Sequence, residues 1–325
     1  MAKIIGNLAP EDDFLHELGP EPNFNESAYY NFFDAKQQLG GWFRIGNRAN
    51  EGHAERTVCL YLPDSRVLFH FGRPKLADNA AFDAAGLRFE VLEPTQRHRT
   101  TFRGSLLELR EPRAMADPKA AFVGNPRKQV SFDLLHDAVG PLYGHQAQKR
   151  PDEDAEQSFA RAHFEQHMRV TGSLEIEGER FEIAGFGLRD HSWGPRYWQA
   201  IHSYEWLTLN FGPDLGAMIS IIQRDAAGKE RTAGGVLVRG MEMERLVDAT
   251  IDATYEPNGL YHEAITARVK TESGQELTVT GQVKSFIPLR NRRGEQVTHI
   301  GEGMTEWRLG DRTGYGLSEF LRQVR

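Results

Sequence analysis

The residue types best suited to acid–base chemistry are concentrated between Gly185 and Trp198. The stretch reads Gly-Phe-Gly-Leu-Arg-Asp-His-Ser-Trp-Gly-Pro-Arg-Tyr-Trp, so it combines an acid, an imidazole, a hydroxyl, a phenol, two arginines and two tryptophans. An imidazole titrates close enough to neutral pH to give or take a proton, and a carboxylate beside it can assist. The pattern therefore points first to proton transfer involving Asp190 and His191.

The strand and turn signals around this stretch decide which side chains share a face. Apolar residues at 186 and 188 predict a strand, and Gly194–Pro195 predicts that it ends in an ordered loop. In a regular strand His191 would share one face with Trp193, and Asp190 would face the other way. If the chain turned before His191, both side chains would point to one side. The sequence leaves the two arrangements open.

A purely structural role is the competing interpretation of the motif. In the strand arrangement Asp190 would act through Arg189, Arg196 or the backbone of the following loop. An Arg-Asp pair at a strand end often forms a structural ion pair, and Trp193-Gly194 is typical of a tight corner with the indole packed on glycine. Judged on this segment alone, the structural and the functional interpretation have equal support.

A second polar and aromatic cluster, residues 202–206, favours a functional site. Its alternation places His202, Tyr204 and Trp206 on one side of a predicted strand. There they could line an apolar cavity with a few polar groups, or pack together in a core.

Strand signals recur along almost the whole chain. Runs rich in aromatic and β-branched residues, separated by turn-forming Pro, Gly and Asp, give about sixteen strand candidates and about two or three short helices. This density predicts an all-β fold of antiparallel strands. Two tandem barrels are the preferred architecture, because each half of the chain has the length of an up-and-down barrel of about eight strands.

A change in composition between residues 138 and 161 predicts a polar linker with a short helix at 152–162. We therefore expect an N-terminal barrel with an irregular lead-in at 1–160. A C-terminal barrel carrying the Asp-His-Ser-Trp-Gly motif is expected at 161–325. Glu177-Gly178-Glu179 predicts a hairpin turn, and the alternation on either side of Ser273-Gly274 predicts another.

Composition limits the partners. The chain has 325 residues, of which 39% are hydrophobic and 26% charged, and a formal charge of −7, which argues against capture of nucleic acid by the overall field. No apolar run approaches the about 20 residues that span a bilayer, and the N-terminus does not resemble a signal peptide. We expect a cytoplasmic protein without a membrane span, and a homodimer is left open. Cys59, the single cysteine, is interpreted as a buried core residue.

Several familiar catalytic sites are missing from the sequence. Gly185-Phe-Gly187 is too short for a dinucleotide fingerprint, and neither a phosphate loop ending in Gly-Lys-Ser/Thr nor a Gly-x-Ser-x-Gly elbow is present. His163 and His167 have the four-residue spacing of helical metal ligands but lack the Glu of a zincin. We therefore predict neither a metal nor another cofactor.

The motif at Gly187-Leu-Arg-Asp-His-Ser-Trp-Gly-Pro-Arg196 resembles the AttH-like and carotenoid-hydratase superfamily, in particular an uncharacterised bacterial branch. The aromatic N-terminal strands and the terminal stretches Glu306-Trp307 and Gly314-Tyr-Gly-Leu-Ser-Glu319 extend the likeness to most of the chain after about residue 25. The resemblance implies two lipocalin-like β-barrels in tandem. It implies less about activity, since a fold does not determine function.

Relatives of this kind hold an apolar substrate in a cavity and act on it with a few acid–base groups and no redox cofactor. By resemblance, the candidate catalytic residues are Asp190, His191, Arg196 and Tyr204. The candidate substrate-binding residues are Trp193, Trp206, His202, Trp42, Tyr30 and His70. For residues such as Trp42 and His70 taken singly, a structural role is the more common one.

The expected function is that of a cofactor-independent lyase, hydratase or isomerase acting on a hydrophobic aromatic or terpenoid-like small molecule. Hydration, elimination, isomerisation and carbon–carbon cleavage with release of a small aldehyde need the same groups and stay open. One alternative is a lipocalin-like carrier that binds such a ligand without chemistry. Another is a scaffold whose barrels are filled by side chains.

Overall fold

A computed structural model describes residues 2–146 and 161–324. These residues form twenty strands, one short helix and several 3₁₀ turns. The strands are β1 (Ile4–Ile5), β2 (Phe24–Asp34), β3 (Leu39–Arg48), β4 (His53–Tyr61), β5 (Val67–Gly72), β6 (Asp83–Ala84), β7 (Leu87–Glu93), β8 (Arg97–Leu109), β9 (Arg127–Ala138), β10 (Leu142–Gln146), β11 (Ala162–Ile176), β12 (Glu179–Pro195), β13 (Ser203–Asn210), β14 (Gly216–Gln223), β15 (Arg231–Arg239), β16 (Glu242–Tyr255), β17 (His262–Thr271), β18 (Glu276–Arg293), β19 (Gln296–Leu309) and β20 (Arg312–Gln323). The helix is α1 (Pro118–Gly124), and 3₁₀ turns lie at Pro10–Asp13, Ala49–Glu51, Pro112–Ala116 and Trp198–Ala200.

The chain divides into two compact units. The N-terminal unit comprises residues 2–63, 68–108, 126–146 and 161–197, and the C-terminal unit comprises 64–67, 109–125 and 198–324. The predicted boundary near residue 160 differs from this division, because β11 and β12 pair with β9 and β2 of the N-terminal unit. The Asp-His-Ser-Trp-Gly motif therefore lies in the N-terminal unit. The predicted helix at 152–162 falls outside the described residues except at its end, where Ala162 begins β11.

The N-terminal unit contains a ring of eight hydrogen-bonded strands. The ring runs through β2, β3, β4, β5 and β8, and the pairings β8–β9, β9–β11, β11–β12 and β12–β2 close it. Of the remaining strands, β7 pairs with β8 and β10 with the start of β11. The predicted barrel is thus present, and its closing strands come from the middle of the chain.

The aromatic strand β2 is buried along its whole length. Ala28, Tyr30 and Phe32 belong to the apolar core of the unit, as alternation along a strand requires. The neighbouring strand β12 approaches β2 closely at Gly187, where a Cβ atom would lie 1.8 Å from the carbonyl oxygen of Asn31. Glycine at this position therefore allows the strand that carries Asp190 and His191 to pack against β2.

The C-terminal unit is a closed antiparallel barrel in which β13 to β20 pair in sequence order and β20 pairs with β13. Its core includes Leu207, Ile219, Trp307 and Phe320. The hairpin predicted around Ser273-Gly274 joins β17 and β18, as the alternation of these strands indicated.

Most predicted strands are present, but some elements were not predicted. The helix α1 and the strands β10 and β16 had no clear signal, whereas the turn at Glu177-Gly178 joins β11 and β12 as expected, with φ of 52° and 87°. Cys59 is fully buried, as its apolar neighbours indicated. Among the described residues, no helix has the length and apolar character that a membrane crossing requires.

Candidate functional site

The strand β12 continues through the motif and places its side chains on alternate faces. Arg189, His191 and Trp193 all lie against the ring of Phe164, with distances of 5.1, 5.1 and 6.1 Å to its centroid. Asp190 points to the opposite face. The regular-strand arrangement is therefore the one the chain adopts, and Asp190 and His191 do not act side by side.

His191 forms part of a buried hydrogen-bonded group with Glu26 and His16. The Nε2 atom of His191 lies 3.0 Å from Oε1 of Glu26, and Nδ1 of His16 lies 2.7 Å from the same oxygen. The imidazole of His16 also stacks on Trp193 at 3.8 Å between centroids. Glu26 and His191 are buried, so their hydrogen bond is shielded from water.

The charges of this group can be assigned from its contacts. Burial raises the pKa of Glu26, but hydrogen bonds and charges from His16 and His191 outweigh it and lower the pKa to about 2. Burial lowers the pKa of His16, yet Glu26 and Asp12 raise it overall. An ionised Glu26 only accepts hydrogen bonds, so Nε2 of His191 carries the hydrogen and Nδ1 has the lone pair when the ring is neutral.

A second buried network surrounds Arg189. Its Nη1 donates to Asp13 at 2.6 Å, and its Nε and Nη2 donate to the side-chain oxygen of Gln166 at 2.9 and 2.7 Å. Asp13 also accepts from the backbone amide of Thr95. Burial raises the pKa of Asp13, but Arg189, His98 and Thr95 lower it well below its usual range. The aspartate is therefore ionised and paired inside the barrel.

Tyr30 is linked to this network through His98. The Tyr30 hydroxyl lies 3.0 Å from Nδ1 of His98, and Nε2 of His98 lies 3.4 Å from Asp13. Burial, followed by the charge of Arg189, lowers the pKa of His98 to about 4, so this ring is neutral at neutral pH. Burial raises the pKa of Tyr30, which keeps the phenol protonated. A neutral His98 with its hydrogen on Nε2 accepts the phenol hydrogen at Nδ1.

The two networks meet at one small cavity of about 20 Å³. Its walls include the polar residues His191, Tyr30 and Arg189, with Phe82 and Phe89 on the apolar side. A cavity of this volume holds about one water molecule. The arrangement therefore places an imidazole, a phenol and a guanidinium around the space for a single small molecule.

Asp190 belongs to a different cluster on the other face of β12. It forms an ion pair with His163 of β11, whose Nε2 lies 3.4 Å from Glu165. Burial lowers the pKa of His163, but Asp190 and Glu165 raise it to about 10. Asp190 was expected to act through Arg189, Arg196 or the backbone of the following loop. The antiparallel partner strand supplies His163 as its ion-pair partner, and Arg189 pairs with Asp13.

Two groups of side chains have the nitrogen and oxygen atoms that metal cations bind. The first group is His16, Glu26 and His191, and the second is His163, Glu165 and Asp190. Within each group these atoms lie within 4.8 Å of one another. In both groups the donors already contact each other through hydrogen bonds or ion pairs. His163 contributes as a strand residue, not as the helical pair with His167 that the sequence considered.

The other predicted site residues are dispersed. Arg196 donates to the Ser192 hydroxyl at 2.7 Å. In the N-terminal unit, Trp42 of β3 is buried and donates to the Tyr61 hydroxyl at 3.2 Å. His70 of β5 is half-buried. The remaining three, which lie in the C-terminal unit on or just before β13, are His202, Tyr204 and Trp206. Of the predicted residues, Tyr30, Asp190 and His191 line the cavity, and Trp193 contacts His191.

Sequence reasoning missed the acidic partners Glu26 and Asp13 and the imidazole of His16. Asp13 and His16 belong to the lead-in that was interpreted as irregular surface, yet the side chain of Asp13 is completely buried. Glu26 was missed because it lies in a strand of mostly aromatic residues. A charged residue in a strand that is buried on both faces is rare, and this could have identified it.

Several solved structures share the fold. A candidate AttH of Nitrosomonas europaea has a TM-score of 0.65 and 15% identity, covering 98% of this chain and 99% of that one. Kievitone hydratase from Nectria haematococca has a TM-score of 0.58 and 11% identity, covering 99% and 96%. CghA, solved with Sch210972, has a TM-score of 0.56 and 10% identity, covering 92% and 88%. These identities establish an AttH-like, hydratase-type fold and no more.

No curated protein matches the sequence. A family model does match almost the whole chain, from residue 9 to residue 324. The chain therefore belongs to the family described as DUF7064, a domain of unknown function.

Proposed function

We propose that the protein is a hydratase-type lyase that adds water to, or removes it from, a hydrophobic aromatic or terpenoid-like molecule in the N-terminal barrel. One observation carries the proposal: His191 lines a water-sized cavity while its Nε2 is hydrogen-bonded to the buried Glu26 carboxylate at 3.0 Å. A base held in one tautomer by a buried carboxylate is suited to proton transfer. The hydratase-type fold of structural relatives is consistent with this chemistry.

In the proposed reaction one imidazole performs both proton transfers. Protonated His191 gives the Nδ1 proton to one alkene carbon, and a water oxygen bonds to the other carbon. Neutral His191 then takes the surplus proton from the added water, so that the sum is one H₂O across the double bond. The Glu26 carboxylate stabilises the imidazolium, and the Tyr30 hydroxyl holds the water. Dehydration runs through the same steps in reverse.

The substrate's apolar body would lie beside Phe82 and Phe89, the aromatic part of the cavity wall. Because the cavity has room for about one water, substrate binding requires these side chains to move. General acid–base catalysis of this type contributes about 10²–10⁴-fold in rate.

The test is a screen of prenylated phenols and linear terpenes in water enriched with oxygen-18. The expected product carries one oxygen-18 atom, is formed by the wild type and is lost in His191→Gln. Equal incorporation by the wild type and by His191→Gln would contradict the proposal.

A non-catalytic scaffold is the second candidate, and the packing of the barrel favours it. Twenty-four buried apolar residues fill the core of the N-terminal unit. If the protein is a scaffold, substitutions around His191 should change only its stability. If it is a lyase, they should abolish turnover in protein that stays folded.

A further inference from the structure

A buried arginine of the N-terminal barrel has no partner for its charge. Arg56 of β4 is only 6% exposed, and its Nε and Nη1 atoms are buried without a hydrogen bond. Across residues 2–146 and 161–324, no side chain forms an ion pair with it. A buried charge without a partner is rare, because removing it from water costs free energy that nothing in the protein returns.

The surroundings of Arg56 are apolar. The residues two positions before and after it, Ala54 and Val58, both belong to the core, so alternation along β4 directs Arg56 to the same side. Its guanidinium carbon lies 5.6 Å from the centroid of the Phe102 ring. A cation over an aromatic face gains some electrostatic stabilisation, but the ring does not accept the N–H hydrogen bonds.

The charge of Arg56 is felt by a neighbouring imidazole, that of His70. Burial, followed by the charges of Arg56 and Arg127, lowers the pKa of His70 to about 4. Burial alone lowers the pKa of Arg56, without a compensating carboxylate. Glu55, the adjacent residue, faces the other side of β4 and pairs with Arg44 and Arg73. Among the described residues, Arg56 therefore has no carboxylate as its ion-pair partner, although the chain carries a formal charge of −7.

We propose that Arg56 binds the oxyanion of a ligand, a carboxylate or a phosphate, inside the N-terminal barrel beside Phe102 and His70. The planar guanidinium fork matches the oxygens of both groups, and such hydrogen bonds are strong in a site of low dielectric constant. The site is separate from the cavity at His191, which Arg56 does not line.

The experiment measures the stabilisation of the intact protein by acetate, inorganic phosphate, octanoate and octyl phosphate at constant ionic strength, with octanol as the uncharged control. Oxyanions are expected to raise the melting temperature of the wild type and of Arg97→Met. Arg97 is a matched control because it is exposed and already paired with Asp137 at 2.6 Å. Arg56→Met is expected to lose this response, and Arg56→Lys, which keeps the charge but not the fork, to bind about tenfold more weakly.

The alkyl chain distinguishes the source of the oxyanion. Binding of octanoate at least about tenfold tighter than acetate indicates the head group of a hydrophobic ligand, whereas equal affinities indicate a free anion such as phosphate. Either result supports an oxyanion site. The Nε–H signal of Arg56 in nitrogen-15 spectra, identified by its loss in Arg56→Lys, should also move on titration. Absence of any response in the wild type, or an equal response in Arg56→Met, would overturn the proposal.

Discussion

His191 and Glu26 stand 165 positions apart in the sequence, yet Nε2 of one lies 3.0 Å from Oε1 of the other. The contact exists because β12 pairs with β2 and closes the ring of the N-terminal barrel. It fixes the tautomer of the neutral imidazole, with the hydrogen on Nε2 and the lone pair on Nδ1. The pairing of these strands is thus both the closure of the fold and the origin of the candidate site.

Replacing Glu26 by Gln should destabilise the fold strongly. The substitution removes the charge that accepts hydrogen bonds from two imidazoles in a buried position. Breaking a buried charged contact in this way costs about 3–5 kcal/mol of unfolding free energy. Urea unfolding measures the loss, and Glu179→Gln, an exposed change on the same unit, should stay within about 0.5 kcal/mol. Equal stability of the two variants would show that Glu26 is not held as described.

The contribution of Glu26 should also depend on pH in a defined direction. Its folded pKa of about 2 lies below the usual 4.5. The ionised form therefore stabilises the protein above about pH 4.5, and that stabilisation is lost as the pH falls from 4.5 towards 2. Unfolding free energies of the wild type and Glu26→Gln should converge over this interval. A difference that stays constant from pH 7 to pH 3 would exclude the carboxylate as its cause.

The contributions of Asp13 and Arg189 to the unfolding free energy should be strongly coupled. Each is buried, and either single substitution, Asp13→Asn or Arg189→Gln, leaves the partner's charge unpaired at a cost of about 3–5 kcal/mol. The double variant removes both charges and should cost clearly less than the sum. A double-mutant cycle of unfolding free energies gives the coupling directly, and additive costs would mean that the two charges do not stabilise each other.

Gly187→Ala should prevent the normal pairing of β12 with β2. The added Cβ would lie 1.8 Å from a backbone oxygen of Asn31, and a backbone atom cannot move aside as a flexible side chain does. We expect little folded protein by circular dichroism and gel filtration. Gly124→Ala is the control, since a Cβ there meets nothing within 4 Å. Normal folding of both variants would show that the close approach of the strands is not required.

The local structure of this protein could be predicted from its sequence more fully than its long-range contacts. Alternation of apolar residues predicted most strands, since a period of two is a property of a few neighbouring residues. It left open whether Asp190 and His191 share a face. A barrel was predicted, but not that β11 and β12 close it, because the pairing of strands distant in sequence leaves no local signal. Asp13 was missed for the same reason: the lead-in has no period, and the partners of the buried carboxylate, Arg189, His98 and Thr95, all lie far along the chain.

The most direct test of the account is turnover by His191→Gln on the substrate that the oxygen-18 screen identifies. His145→Gln serves as the control because it changes an exposed imidazole of the same unit. We expect kcat to fall by about 10²–10⁴-fold in His191→Gln, with an unchanged Kd for the substrate and full activity in the control. Retention of wild-type kcat by folded His191→Gln would contradict the central claim that this imidazole transfers the proton.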